Sequence, residues 1–209
     1  MPKQVLMVGG CEADFHNMWE AVPTVALVAD QLRYDVTISR DRGRISAAGL
    51  AGIDALLVYT TGGTLEQEQA TAFLDWLKAG GGLVGLHSAA DSFKENPEYI
   101  KTLGGAFITH PAPLDVTVQL VDKTHPITAG LEDFTLREEL YILDYDPATM
   151  HILAETYSYE DKMQPIAWTR EEGSGRIFYC SLGHAESSWV NESFRELLRR
   201  GLKWVLKEI

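Results

Sequence analysis

The chain is poor in cysteine, in basic residues and in long apolar runs. Cys11 and Cys180 are its only cysteines, which excludes a disulfide framework as the organising device and makes a reduced, cytoplasmic setting the expectation. No apolar stretch approaches the roughly 20 residues that cross a bilayer. The first apolar run starts at Val5, leaving no space after Met1 for a secretory leader, so no membrane partner is expected. Lysine and arginine number 18 against 30 aspartates and glutamates, a net charge of −12. A phosphate backbone would meet a repulsive field, and nucleic acid is not an expected partner. The acidic residues are spread along the chain, as at Glu66, Glu68 and Asp75, which fits solubility better than an interaction tail. The glycine spacing of a dinucleotide site is missing as well: Gly9-Gly10-Cys11-Glu12 lacks the G-x-G-x-x-G pattern, and neither a nicotinamide nor a flavin cofactor is expected.

What is present is enough apolar residue, 45% of the chain, to bury one substantial core. No repeat, low-complexity tract or long linker divides the chain, so residues 1–209 read as a single domain. Val5-Leu6-Met7-Val8 stops at Gly9-Gly10, Ala55-Leu56-Leu57-Val58-Tyr59 stops at Thr60-Thr61-Gly62-Gly63, and Leu83-Val84-Gly85-Leu86 runs straight into His87-Ser88-Ala89. Short, continuously apolar runs of this kind are strands buried on both faces, as in a parallel sheet. Between them lie helical patterns. One spans Trp19 to Leu32. Another starts at Thr64, with Gln67 as its capping-box partner, buries Ala70, Phe73, Leu74 and Leu77, and ends at Gly80-Gly81-Gly82. A last helix from near Asn191 carries Phe194, Leu197, Leu198, Leu202 and Val205 on one face. The β-α-β-α order predicts an α/β fold: a doubly wound, mostly parallel sheet with helices on both faces. From Gly105 to about Trp168 the pattern becomes alternating strands punctuated by Pro111, Pro113, Pro126, Pro147 and Pro165, which predicts an antiparallel extension.

Ligands of open α/β sheets settle beyond the carboxyl ends of the strands. Four of the six histidines fall there: His16 after the first strand, His87 at the exit of Leu83–Leu86, His110 after Ala106–Thr109, and His184 after Ile177–Ser181. Gly85-Leu86-His87-Ser88-Ala89 reads as a strand, a tight turn with small neighbours and a helix, the context of a nucleophile elbow. Ser88 sits one position off the apex and is the lesser nucleophile candidate. Glu186, two residues after His184, is a candidate to orient that imidazole or to take its proton. His125, within His-Pro-Ile-Thr-Ala-Gly-Leu, and His151 read as structural.

Taken in order, Gly80–Ala89, Gly104-Gly105-Ala106-Phe107 with His110-Pro111, His125–Leu131, Glu138-Glu139-Leu140-Tyr141 and Gly173–His184 resemble the ThuA-like (trehalose utilisation) family of the class I glutamine amidotransferase-like superfamily, over nearly the whole chain. The resemblance implies a flavodoxin-like fold and a role in sugar metabolism, on a disaccharide such as trehalose or an oxidised keto-sugar derivative, with a small-molecule sugar as the expected partner. Working amidotransferases of the superfamily carry a cysteine at the elbow and a later His-x-Glu. Here His184-Ala185-Glu186 matches the second motif, but the apex is His87, so glutamine hydrolysis through a thioester is not expected. Imidazoles with a carboxylate suit proton transfer or a divalent metal such as zinc. His87, His184 and Glu186 are therefore the catalytic candidates, His16, His110, Glu139 and Tyr141 the substrate-binding ones, and His16, His87, His110 and His184 the candidate metal ligands. Phe15, Trp19, Tyr141 and Trp189 are aromatics that either stack on sugar or pack. Two functions stay open: an enzyme, or a non-catalytic sugar-binding or regulatory module on the same scaffold. A homodimer is compatible with either.

Overall fold

The computed structural model describes residues 1–11, 16–157 and 162–209, Cys11 by its backbone alone. The chain begins β1 (Gln4–Cys11), α1 (Met18–Leu32), β2 (Asp35–Ser39), α2 (Ala47–Leu50), β3 (Ala55–Thr61), α3 (Gln67–Lys78) and β4 (Gly82–Leu86). A 3-10 turn, His87–Asp91, then leads to α4 (Pro97–Leu103), β5 (Gly105–Thr109), β6 (Leu114–Leu120), β7 (Phe134–Glu138), β8 (Ile142–Tyr145), β9 (His151–Tyr157), β10 (Met163–Glu172), β11 (Gly175–Cys180), α5 (Glu186–Val190) and α6 (Glu192–Val205).

Nine strands form one sheet in the order β2-β1-β3-β4-β11-β10-β9-β6-β7. The first five of that order run parallel, and β10, β9, β6 and β7 continue it in antiparallel fashion. β5 and β8 form a separate antiparallel ribbon. Period-two alternation divides each central strand between two cores. Val5, Met7 and Leu57 face one layer with Val25 and Val28 of α1 and Leu197, Leu198 and Leu202 of α6. Leu6, Val8 and Leu56 face the other with Phe73 and Leu77 of α3 and Leu103 of α4. Each fully buried leucine or valine contributes about 1.5–3 kcal/mol, and this two-sided burial explains why the strands read as unbroken apolar runs. Gly201 lies inside α6 because a β-carbon there would come within 2.3 Å of the Phe178 ring; the helix accepts a cost of about 1 kcal/mol for glycine to lie this close to the sheet.

α3 starts later than the sequence pattern suggests. Gln67 is its first residue, and Gln69, not Gln67, reaches back to the Glu66 amide at 3.1 Å. The Gln69 amide also donates to the Arg42 and Ile45 carbonyls, and these contacts from a preceding loop displace the Thr64 cap. No helix among the described residues is long and apolar enough to cross a membrane.

Candidate active site

The carboxyl ends of β1, β3, β4 and β11 converge on a group of buried side chains. His87 directly follows the last residue of β4 and opens the 3-10 turn, and it takes φ of +40°, a conformation uncommon for a residue that is not glycine. The turn is held by the Tyr179 hydroxyl, which donates to the His87 carbonyl at 2.8 Å. The imidazole is fully buried and lies 4.0 Å, centroid to centroid, from the Tyr141 ring. Its Nδ1 is 2.7 Å from the Ser181 carbonyl, an acceptor only, so Nδ1 donates there and Nε2 faces the cluster. His16 precedes α1, whose N-terminus is capped by Asn17. Its Nδ1 contacts the Thr61 hydroxyl at 2.6 Å and its Nε2 lies 3.1 Å from His87 Nε2.

Glu139, directly after β7 and 6% exposed, supplies the carboxylate. Oε2 lies 3.1 Å from His184 Nδ1, 3.4 Å from His87 Nε2 and 3.9 Å from His16 Nε2, while Oε1 lies 3.1 Å from His110 Nδ1. Burial opposes its charge, yet the His16, His184 and His87 imidazoles hold the carboxyl well below the usual carboxylate range. Contact with Glu139 raises His184 against the effect of its burial, whereas burial lowers His16 despite the same carboxylate.

One atom of each of His16, His87, Glu139 and His184 lies within 4.8 Å of the other three. Zinc bonds of about 2.0–2.1 Å would set tetrahedral ligands about 3.3 Å apart, and the measured separations bracket that edge. His184 Nδ1 is buried and has no aligned hydrogen-bond partner, although Glu139 Oε2 is 3.1 Å away. Such an arrangement, close in distance but not directed atom to atom, is what lone pairs aimed at a common centre produce. The donor set therefore fits a divalent cation. The outer contacts fit as well, since the second nitrogens of His87 and His16 are held by the Ser181 carbonyl and the Thr61 hydroxyl.

The structure brings together His16, His87, His184 and Glu139. His110, at the end of the β5–β8 ribbon and 38% exposed, touches the rim through Glu139 Oε1. Tyr141 stacks between His87 and Phe107. Glu186 is not brought in: it is exposed in the first turn of α5, where its charge complements the helix dipole, and no ion pair or hydrogen bond joins it to His184 among the described residues. The carboxylate beside His184 comes instead from Glu139. Ser88 is fully buried and its hydroxyl has no hydrogen-bond partner among the described residues, so no base is placed to activate it. Burial pushes the Cys180 thiol up to about 12, far from a reactive thiolate. Trp189 packs in the core against Tyr59 and Phe194, Trp19 is 58% exposed, and Phe15 lies outside the described residues. Two contributors escaped the sequence pattern. Thr61 orients His16 from a different strand, and Glu138 was visible only as the neighbour of Glu139.

A family model described as ThuA, trehalose utilisation, matches residues 4–205. Among solved structures, a ThuA-like protein from Parabacteroides merdae ATCC 43184 superposes with a TM-score of 0.85 at 21% identity, over 100% of this chain and 91% of that one. A ThuA-like protein from Bacteroides uniformis ATCC 8492 gives 0.82 at 22% identity, over 98% and 91%. A β-galactosidase from Rahnella sp. R3 gives 0.67 at 14% identity, over 99% of this chain but 31% of that one, so the same fold also forms part of a longer chain. No curated protein matches the sequence. With a family model spanning nearly its whole length and ThuA-like proteins sharing its fold, the chain belongs to the ThuA (trehalose utilisation) family.

Proposed function

We propose that the protein is a cytoplasmic enzyme of carbohydrate metabolism that acts on a disaccharide or a keto-sugar derivative at a divalent-metal site formed by His16, His87, His184 and Glu139, without glutamine amidotransferase activity. The observation that carries this reading is the convergence of three imidazoles and one carboxylate, with His184 Nδ1 left without an aligned partner. Charge supports it too. Glu138 and Glu139 are adjacent and buried, and no lysine or arginine pairs with either among the described residues, so a dication would neutralise them.

A bound divalent ion supplies Lewis acidity toward a sugar oxygen and lowers the pKa of a coordinated hydroxyl or water. The chain's own groups do the rest. His87 and His16 are held with Nε2 facing the centre. Glu139 shares its charge between the cluster and His110. Half exposed at the rim, His110 is placed to carry a proton between substrate and solvent. Tyr141 backs His87 and fixes its ring plane. With histidine at the elbow apex and both cysteines elsewhere, acyl transfer through a thioester has no nucleophile.

The test is metal analysis of protein purified without a histidine tag, followed by a screen of disaccharides and keto-sugars for product. About one equivalent of a transition metal and turnover on one sugar class are expected. Metal-free protein that neither takes up zinc, manganese or cobalt nor converts any sugar would overturn the proposal, and sugar affinity without turnover would favour a binding module.

A further inference from the structure

We infer that Glu138 is a positioning residue that sets metal affinity by gripping the backbone of two ligand-bearing segments, an inference that rests on the metal reading above. Glu138 ends β7 and is 1% exposed. Its Oε1 accepts from the Glu139 amide at 2.8 Å and the His184 amide at 3.2 Å. Its Oε2 accepts from the Gly183 amide at 2.8 Å, from the His184 amide at 3.3 Å and from the Ser188 hydroxyl. The grip falls on the peptide units of two of the four ligand residues.

Consecutive residues thus divide the work. Glu139 offers its carboxylate to the cluster, and Glu138 draws in the turn that delivers His184. The other side of that turn is closed by the Tyr59 hydroxyl, which donates to the Gly183 carbonyl at 2.8 Å. Gly183 itself takes φ of +124°, and a β-carbon there would lie 3.1 Å from the Trp189 ring and 3.6 Å from His87 Cβ, so the turn packs tightly on Trp189 and within van der Waals reach of the elbow. A buried carboxylate held by uncharged donors alone is costly unless its lone pairs are filled, and here the donors that fill them lie on the segments a metal needs fixed. Glutamine at 138 keeps the shape but turns an N–H₂ donor toward N–H donors. The Gly183–His184 turn must then move.

The full-length protein, Glu138→Gln and His184→Ala are titrated with Zn²⁺ against a chromophoric chelator and with Co²⁺ by visible absorption, with folding monitored by circular dichroism. The wild type takes up one ion. Glu138→Gln binds it about 10- to 100-fold more weakly, with a cobalt spectrum shifted toward that of His184→Ala, and adding Glu138→Gln to His184→Ala costs less than Glu138→Gln costs the wild type, because part of its grip acts on that ligand. A folded Glu138→Gln that matches the wild type in affinity and spectrum overturns the inference while leaving the metal site standing. Strict additivity of the two variants also overturns it. A wild type that binds neither ion overturns both readings. If Glu138→Gln does not fold, Ser188→Ala decides: losing one donor to the same carboxylate weakens binding about three-fold, and unchanged affinity counts against the inference.

Discussion

Two places in this molecule gather histidines around a carboxylate, at opposite ends of the sheet, and they are built for different ends. At the carboxyl ends of the parallel strands, His16, His87, His184 and Glu139 aim single atoms at one another. At the other end, His125 and His151 lie 5.4 Å apart beside Asp122, along a surface pocket of about 430 Å³ that also involves Arg170 and Trp204. There the donors and acceptors are already paired locally. Asp122 Oδ1 accepts from the Thr124 amide and hydroxyl and from the His125 amide, Oδ2 meets His151 Nε2 at 2.8 Å, and His125 Nδ1 accepts from the Ile127 amide. This constellation closes a turn. Composition alone does not distinguish a site from a brace; the direction of the lone pairs does.

The strongest challenge to that contrast is to remove a ligand. His87→Ala or His184→Ala should lower metal affinity more than about 100-fold, beyond the loss from an outer contact, and abolish turnover with the fold retained; equilibrium dialysis and circular dichroism check both. A smaller effect is expected for Thr61→Val, which removes the partner of His16 Nδ1 and preserves shape. Affinity should fall by about 10-fold, read by chelator competition, and unchanged affinity would mean that the Thr61 contact does not orient the ring. The smallest effect belongs to the other end of the sheet. Asp122→Ala should leave metal binding untouched and cost about 1 kcal/mol of stability or less, given solvent screening. Thr124 and then His151 and the His125 amide hold the Asp122 carboxyl below its ordinary range. A folded-state pKa that is depressed contributes above the unfolded value, so the difference from wild type should be full above about pH 5 and shrink as pH falls through about 4. Urea denaturation at several pH values measures it.

The contrast also shows what a linear reading can reach. Strands with both faces buried announce themselves, because Val5–Val8 and Ala55–Val58 have no polar side to display, and His16, His87 and His184 follow from the topology of the parallel strands, whereas His110 ends a strand of the separate ribbon. The structure departs where a contact is made across the chain. Glu186 is His184's neighbour in sequence, but the carboxylate that reaches His184 arrives from the end of β7, 45 residues earlier; the family resemblance of Glu138-Glu139-Leu140-Tyr141 marks Glu139 as a site residue, and nothing local marks it as the partner of His184. Thr61 and Glu138 act through one hydroxyl and one set of backbone amides, features that any threonine or glutamate presents equally in a sequence. The Thr64 cap fails for the same kind of reason, since Gln69 is occupied by carbonyls of Arg42 and Ile45, between β2 and α2.

The number of strands in the antiparallel extension has a consequence for the chemistry. From β11 the direction reverses at β10, again at β9, again at β6 and once more at β7. After four reversals β7 points the same way as β4 and β11, so Glu138 and Glu139 arrive at the histidine end of the sheet. In a flat sheet β7 would still lie about 19 Å from β11, at roughly 4.8 Å per strand, yet Glu138 reaches the Gly183 amide at 2.8 Å. The extension must therefore curl back over the parallel half, helped by the irregular register of β10 around Pro165, Ala167 and Trp168. The parity of this extension matters as much as its curvature: an odd number of strands would send the carboxylates to the wrong pole and leave the imidazoles with no anion to share.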